Sequence, residues 1–143
     1  MIGWQPKGEE MSAQAERALE QEARRLLELL DEMDVEGLEA MLTDDAQGVD
    51  EISRGWRRGR AALNDYLSEL EGAVVEVQSQ ISDLHAADWG DVGVVTFVLD
   101  QTYEIDGQKQ SLSAPTSLVF RRQDDAWKVA LIHSVPLPEQ GQS

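Results

Sequence analysis

The chain has no cysteine, three lysines, two histidines, two tyrosines and two phenylalanines. Without cysteine there are no disulfides, no thiolate catalysis and no zinc-thiolate sites, and the redox compartment is left open. No apolar run approaches the roughly 20 residues that a membrane helix needs. Met1 to Glu10 lacks the basic-then-apolar order of a signal peptide, so a cytoplasmic protein with no membrane partner is the expectation. His85 and His133 are too far apart in sequence to form a helical ligand pair, and no carboxylates accompany them at ligand spacing. No metal is therefore expected. The glycines form no phosphate loop and no serine sits in a nucleophile elbow, which leaves cofactor-free chemistry as the only kind supported.

What the chain has in excess is acid. Asp and Glu number 28 against 12 Lys and Arg, a formal charge of -16. Like charge repels nucleic acid and anionic membrane surfaces, so neither is expected as a partner. A chain of 143 residues reads as one domain, long enough to bury about 70% of the surface its unfolded form exposes. Positions 1–8 read as a loose arm, 9–138 as the domain and 139–143 as a disordered tail, with Met11 an alternative start.

The last third organises the rest. Val92 to Ile105, Ser117 to Phe120 and Trp127 to Val135 are rich in β-branched and aromatic residues, and Asp106-Gly107 and Asp124-Asp125 punctuate them. The expectation is a curved antiparallel sheet, with helices on one face and a second copy of the chain on the other.

Upstream, Ala15, Leu19, Ala23, Leu26, Leu27, Leu30 and Met33 recur at steps of three and four, predicting a long amphipathic helix from about Glu9. Asp34 can cap a short helix carrying Val35, Leu38, Met41 and Leu42, which Asp44-Asp45 would end in a turn. Ala46 to Ile52 reads as a strand and Ser53 to Gly59 as a loop. A third helix from Arg60 presents Leu63, Tyr66, Leu67 and Leu70 as one stripe, and Gly72 is placed to stop it. In Val74 to Trp89 the alternation slips where Leu84 and Ala86 fall, predicting a bulge near Ser82 to His85.

This order resembles the cone-shaped nuclear transport factor 2 superfamily, with its ketosteroid isomerases and SnoaL-like cyclases. Asp34-Val35-Glu36-Gly37-Leu38 through Leu42-Thr43-Asp44-Asp45-Ala46 is similar to the family's helix-turn segment, and Asp50 with Gly59-Arg60-Ala61-Ala62-Leu63 continues the match. Phe120-Arg121-Arg122, Trp127-Lys128-Val129 and His133-Ser134-Val135-Pro136 resemble the final hairpin of SnoaL-like proteins. The resemblance spans about Ala15 to Pro136. It implies an α+β cone, a curved sheet covered on its concave side by three N-terminal helices, and a homodimer through the sheet face. It implies cofactor-free isomerase, cyclase or dehydratase chemistry on a small, largely apolar organic molecule, or alternatively a non-catalytic binding or assembly module. In the match Asp50 resembles the isomerase's carboxylate base, which works beside a phenol and a protonated acid. The phenol's place is taken by Leu26, and the acid falls near Thr116 or Ser117.

Each candidate has a bland counterpart. Asp50 is a base if it points inward and a solvated strand end if it does not. His133 shares the alternation of Trp127, Val129, Leu131 and Val135, which makes it either a pocket acid-base group or a core histidine satisfied by a carbonyl. Asp100 is a pocket acid or the place where the sheet turns to solvent or to a subunit. Trp56, Leu26, Tyr66, Tyr103, Thr116, Ser117 and Leu131 are the expected ligand contacts. Arg54, Arg57 and Arg58, with Arg60, either receive an anion or pair with the chain's own acids.

Overall fold

The computed structural model describes residues 6–138, with side chains from residue 13. Positions 1–5 of the expected arm and the expected tail at 139–143 lie outside the described residues. Helix α1 runs over Pro6–Glu32, so it begins at Pro6 rather than near Glu9. Its apolar stripe buries Leu19, Ala23, Leu26 and Leu27.

Asp34 caps α2 (Val35–Ala40) as expected, its carboxylate accepting from the Gly37 N–H at 2.9 Å. The helix then ends sooner than its sequence predicts. Leu42 opens β1 (Leu42–Asp50), and Asp44-Asp45 lies inside that strand instead of forming a turn. Tertiary pairing overrides the local signal here, because the Val129 N–H donates to the Met41 carbonyl at 2.7 Å and docks the chain at once onto the last strand. The turn-forming residues mark a break in the ladder, whose register passes from Leu42↔Val129 to Gln47↔Leu131.

A two-residue strand β2 (Arg57–Arg58) interrupts the expected loop, and α3 (Arg60–Ala73) follows. Gly72 does not stop α3. The helix continues to Ala73 and passes straight into β3 (Val74–Asp88), with Val74 already extended.

Strands β4 (Val92–Ile105), β5 (Gln108–Gln123) and β6 (Ala126–Ser134) form the expected meander. Each of its two-residue turns has both residues in the left-handed region: Asp106 and Gly107 at φ 53 and 76, Asp124 and Asp125 at φ 50 and 62. That geometry matches the right-handed twist of the strands it joins. The sheet order is β2-β1-β6-β5-β4-β3. It is mixed rather than wholly antiparallel, because β1 and β6 run parallel.

Burial alternates along β4: Gly93, Val95, Phe97 and Leu99 are buried, while Val92, Val94 and Val98 are half-buried and Thr96 is exposed. The buried row faces the helices. A Cβ on Gly93 would lie 2.6 Å from the Leu19 side chain, so any other residue there would force Leu19 to move from its buried position between α1 and β4. Leu19, Val95, Leu118, Phe120 and Val129 form the centre of the core. Each large apolar side chain buried there stabilises the fold by about 1.5–3 kcal/mol relative to exposure.

The bulge expected near Ser82 to His85 is present, with Asp83 at φ 52. Another bulge, in β6, matters more for function. Val119 pairs with Leu131 but Phe120 pairs with Val129, which leaves Ala130 as an extra residue. One extra residue reverses the faces of everything beyond it.

Candidate functional site

Between the helices and the sheet lies a cavity of about 100 Å³. Leu26 and Leu30 of α1, Leu38 of α2, Leu63 and Tyr66 of α3, and Phe97, Leu118 and Ile132 of the sheet wall it. A cavity of about 150 Å³ holds benzene, so this one takes a body of roughly four carbon atoms.

Asp50, at the end of β1, brings a carboxylate to the rim of this apolar space. Its Oδ1 accepts three hydrogen bonds, from the Ile52 N–H (3.0 Å), the Ser53 N–H (2.8 Å) and the Tyr66 hydroxyl (2.7 Å). Two of these make an Asx turn, the local motif through which an aspartate orders the backbone that follows it. No described residue donates to Oδ2. The carboxylate is therefore fixed by one oxygen and has the other available.

Tyr66 belongs to the apolar stripe of α3, which carries its hydroxyl to Asp50. Burial, and after it the Asp50 carboxylate, push this phenol far above the ordinary tyrosine range, while Arg57 pulls the other way. It stays protonated and keeps donating. A parallel pair lies beside it: the Tyr103 hydroxyl donates to Glu51 Oε2 at 2.9 Å, and Glu51 also faces the cavity. Burial, then the bond to Glu51, push Tyr103 up to about 12. Deeper in the sheet, the Thr116 and Ser134 hydroxyls bond each other at 2.9 Å and both line the cavity.

Of the expected contacts, Asp50, Leu26, Tyr66 and Thr116 meet at the cavity. His133 does not. The bulge at Ala130 turns Ile132 and Ser134 inward, and Leu131 and His133 go to the opposite face, where His133 is exposed. Ser117 lies between Thr116 and Leu118, which face the helices, so the regular alternation of β5 puts it on the outer face, opposite His133. Trp56 is 41% exposed, with its ring centroid 6.0 Å from that of His133, so it too belongs to the outer face. Tyr103 does not line the cavity; it is buried in a smaller cluster with Tyr66 and Leu70, which do, and its hydroxyl donates to Glu51.

Arg54 is exposed on the turn after Asp50 at φ 53. Arg57 lies 5.3 Å from the Tyr66 ring centroid, and Arg58 bonds Gln47 and sits over Trp56. Asp100 is exposed on the outer face, and His85 is exposed beside Asp83. Sequence reasoning missed Ser134, Ile132 and Glu51. The first two were hidden by the bulge, while Glu51 was open to a reading of the turn that follows Asp50. Among the described residues no cluster of three or more acids and histidines is placed to hold a metal, and no helix is long and apolar enough to cross a membrane.

A cone of three helices on a curved sheet, with a small apolar cavity between them and a carboxylate at its rim, defines a class of pocket protein. Within that class the family model for the SnoaL-like domain matches residues 19–138, and the chain belongs to that family. No curated protein matches the sequence.

Among solved structures, a candidate dehydratase of the NTF2-like family from Streptomyces avermitilis is 18% identical with TM-score 0.82, over 89% of this chain and 99% of that one. A ketosteroid isomerase-like protein from Erwinia carotovora atroseptica is 16% identical with TM-score 0.75, over 87% and 97%. An NTF2-like protein with a cystatin-like fold from Novosphingobium aromaticivorans is 16% identical with TM-score 0.72, over 90% and 86%. At these identities the likeness is one of fold.

Proposed function

We propose that the protein binds a small, largely apolar carbonyl compound in the helix-covered cavity and moves a proton on it, with Asp50 as the base. The observation that carries this reading is the asymmetry of the Asp50 carboxylate, held at Oδ1 by three donors while no described residue donates to Oδ2, in a side chain that lines a largely apolar cavity. A base needs a fixed geometry and a free lone pair. Tyr66 positions it, supplying from α3 a phenol that the family resemblance would have placed at Leu26. In the step proposed, the C–H proton next to the carbonyl passes to Asp50 Oδ2 and its electron pair moves onto the carbonyl oxygen as an enolate. Return of a proton to carbon completes an isomerisation or an exchange.

Solvent exchange tests this without knowledge of the natural substrate. In D2O with pentan-2-one, the wild type should speed exchange of the α-hydrogens over protein-free buffer. Asp50→Asn should slow the protein-dependent rate by about 100-fold or more, while its amide oxygen keeps the Asx turn and the melting temperature. Equal rates in the two proteins would sink the role.

A second reading, compatible with the first, concerns assembly. The outer face carries Val92, Val94, Val98, Val119 and Leu131, and no described element covers them. Sheet faces of this kind are buried against another layer. The occupant we propose is a second copy of the chain, and a cytoplasmic setting belongs to the same proposal. Val94→Glu should convert a dimer to a monomer in sedimentation while changing protomer stability by less than about 1 kcal/mol. A wild type that sediments as a monomer at high concentration would remove this reading.

A further inference from the structure

The helix-covered cavity, at about 100 Å³, is smaller than the roughly 300 Å³ at which ligand pockets begin. Its wall is not uniform. Leu26, Leu38, Leu63, Phe97 and Leu118 are buried, whereas the turn at 50–53, Gln101 and Leu112 are half-buried. Three of these half-buried residues, Glu51, Gln101 and Leu112, also line a second cleft, of about 650 Å³. The two spaces thus share a wall where the cavity lining reaches solvent. The sheet narrows there too: β6 pairs with β5 no further than Ser134↔Thr116, so among the described residues the β5 stretch around Leu112 has no β6 neighbour.

The cleft carries a panel of six side chains in two cross-strand rows, Gln78, Thr102 and Ser111 in one and Gln80, Asp100 and Ser113 in the next. With strands about 4.8 Å apart and a rise of about 3.4 Å per residue, the panel measures roughly 10 by 7 Å. It holds two carboxamides, three hydroxyls and one carboxylate. The change along β4 is abrupt, since its outer positions run Val92, Val94, Thr96 and Val98 before Asp100 and Thr102. Strand propensity does not select aspartate at such a place. None of the outer valines, nor Leu131, lines the cleft, so a second copy seated on them leaves the panel's own residues out of the argument for assembly. Among the described residues its charged groups are Asp100 and Glu51, both acids.

We infer that the substrate is an amphiphilic carbonyl compound, whose short apolar part carries the carbonyl into the cavity and whose neutral, hydroxylated part lies on this panel. The connection between the two parts passes Glu51 and Leu112, which border both spaces. The inference rests on the proton-transfer reading of the cavity and extends it to the part of the substrate that the cavity has no room for. A hydroxyl donates and accepts, and so do the carboxamides and hydroxyls it would meet. An anion would face two acids and no base. An ammonium would satisfy the acids but leave the carboxamide N–H groups without an acceptor.

Four eight-carbon methyl ketones share one end and differ at the other: 7,8-dihydroxyoctan-2-one, octan-2-one, 7-oxooctanoate and 8-aminooctan-2-one. Pentan-2-one serves as the part that the cavity holds alone. Affinities at neutral pH are read from the Ile132 methyl resonance of the full chain. The diol should bind at least about fivefold more tightly than each of the other three. Gln78→Ala combined with Gln80→Ala should erase that preference and leave pentan-2-one within twofold. Thr96→Ala, on the same face outside the cleft, should leave the diol within twofold. A diol that binds no better than octan-2-one, while pentan-2-one still shifts Ile132, would overturn the inference and leave the cavity reading standing. Tightest binding by the amine or the carboxylate would overturn it as well, as would a Thr96→Ala loss equal to that of the paired glutamine variant. If no ketone moves Ile132, the cavity reading fails and the inference goes with it. The wild-type arms decide the matter even if a variant does not fold.

Discussion

Leu131 and Ile132 are neighbours on one strand, and they face two different environments. Ile132 closes a cavity beneath three helices, beside a carboxylate and a phenol, whereas Leu131 lies with His133 on the bare side of the same sheet. The inward face is apolar and nearly continuous, and its few polar groups are bonded to each other: Thr116 to Ser134, Tyr66 to Asp50. The outward face mixes valines with Thr96, Asp100 and His133, and its polar groups meet solvent. What separates them is the position of one residue, Ala130. A side chain's chemistry thus says little about its role until its parity is known.

Removing Ala130 would break this comparison outright. The ladder would run without a bulge, carrying Leu131 and His133 inward and expelling Ile132 and Ser134. Loss of the Thr116–Ser134 bond and of the Ile132 contacts should cost at least about 3 kcal/mol by urea unfolding. A deletion variant with wild-type stability would mean that the two faces are interchangeable.

The next largest effect comes from truncating one side chain on each face. Phe120, fully buried against the helices, should lose about 3–5 kcal/mol as Phe120→Ala. Val94→Ala on the outer face should lose less than about 1 kcal/mol in the monomeric protein. Similar losses at the two sites would show that the outer face is packed more tightly than its exposure indicates.

The smallest effect sharpens the account of the rim. Tyr103 is pushed up to about 12 from its ordinary 10.0, so the folded protein holds this proton more tightly than the unfolded chain does. The contribution is full below about pH 10 and falls as pH rises from there towards 12. Tyr66 acts in the same direction. Tyr103→Phe should therefore show a shallower loss of urea midpoint between about pH 9 and 11 than the wild type, without becoming flat. An unchanged slope would place no proton linkage at Tyr103.

Most of the architecture was legible because it is written in local signals. The stripe of α1, the Asp34 cap, the two turns of the meander and the slip at Ser82 to His85 each follow from a few adjacent residues. The site was legible in part. Leu26, Tyr66 and Thr116 lie on elements whose periodicity is regular, and the structure brings them to the cavity with Asp50, whose direction the parity of its short strand had left open. His133 and Leu131 were misplaced because the run from Trp127 to Val135 alternates without a flaw, and Ser117 because it was taken together with Thr116, its neighbour of opposite parity. Ala130 is small enough to pass for an outward residue, and nothing in the strand's own composition marks it as a bulge. The β1 boundary failed for a related reason: Asp44-Asp45 is a genuine turn signal that pairing with β6 overrules. Long-range register, unlike capping and turns, is not local.

The most direct test of the central claim, that ligand and chemistry belong to the helix-covered face, is a methyl NMR titration with pentan-2-one that follows Ile132 and Leu131 together. A saturable shift at Ile132, shared by Leu26 and Leu63 and absent at Leu131, is the predicted result. A saturable shift at Leu131 with Ile132 unmoved would put the binding site on the outer face and contradict the account.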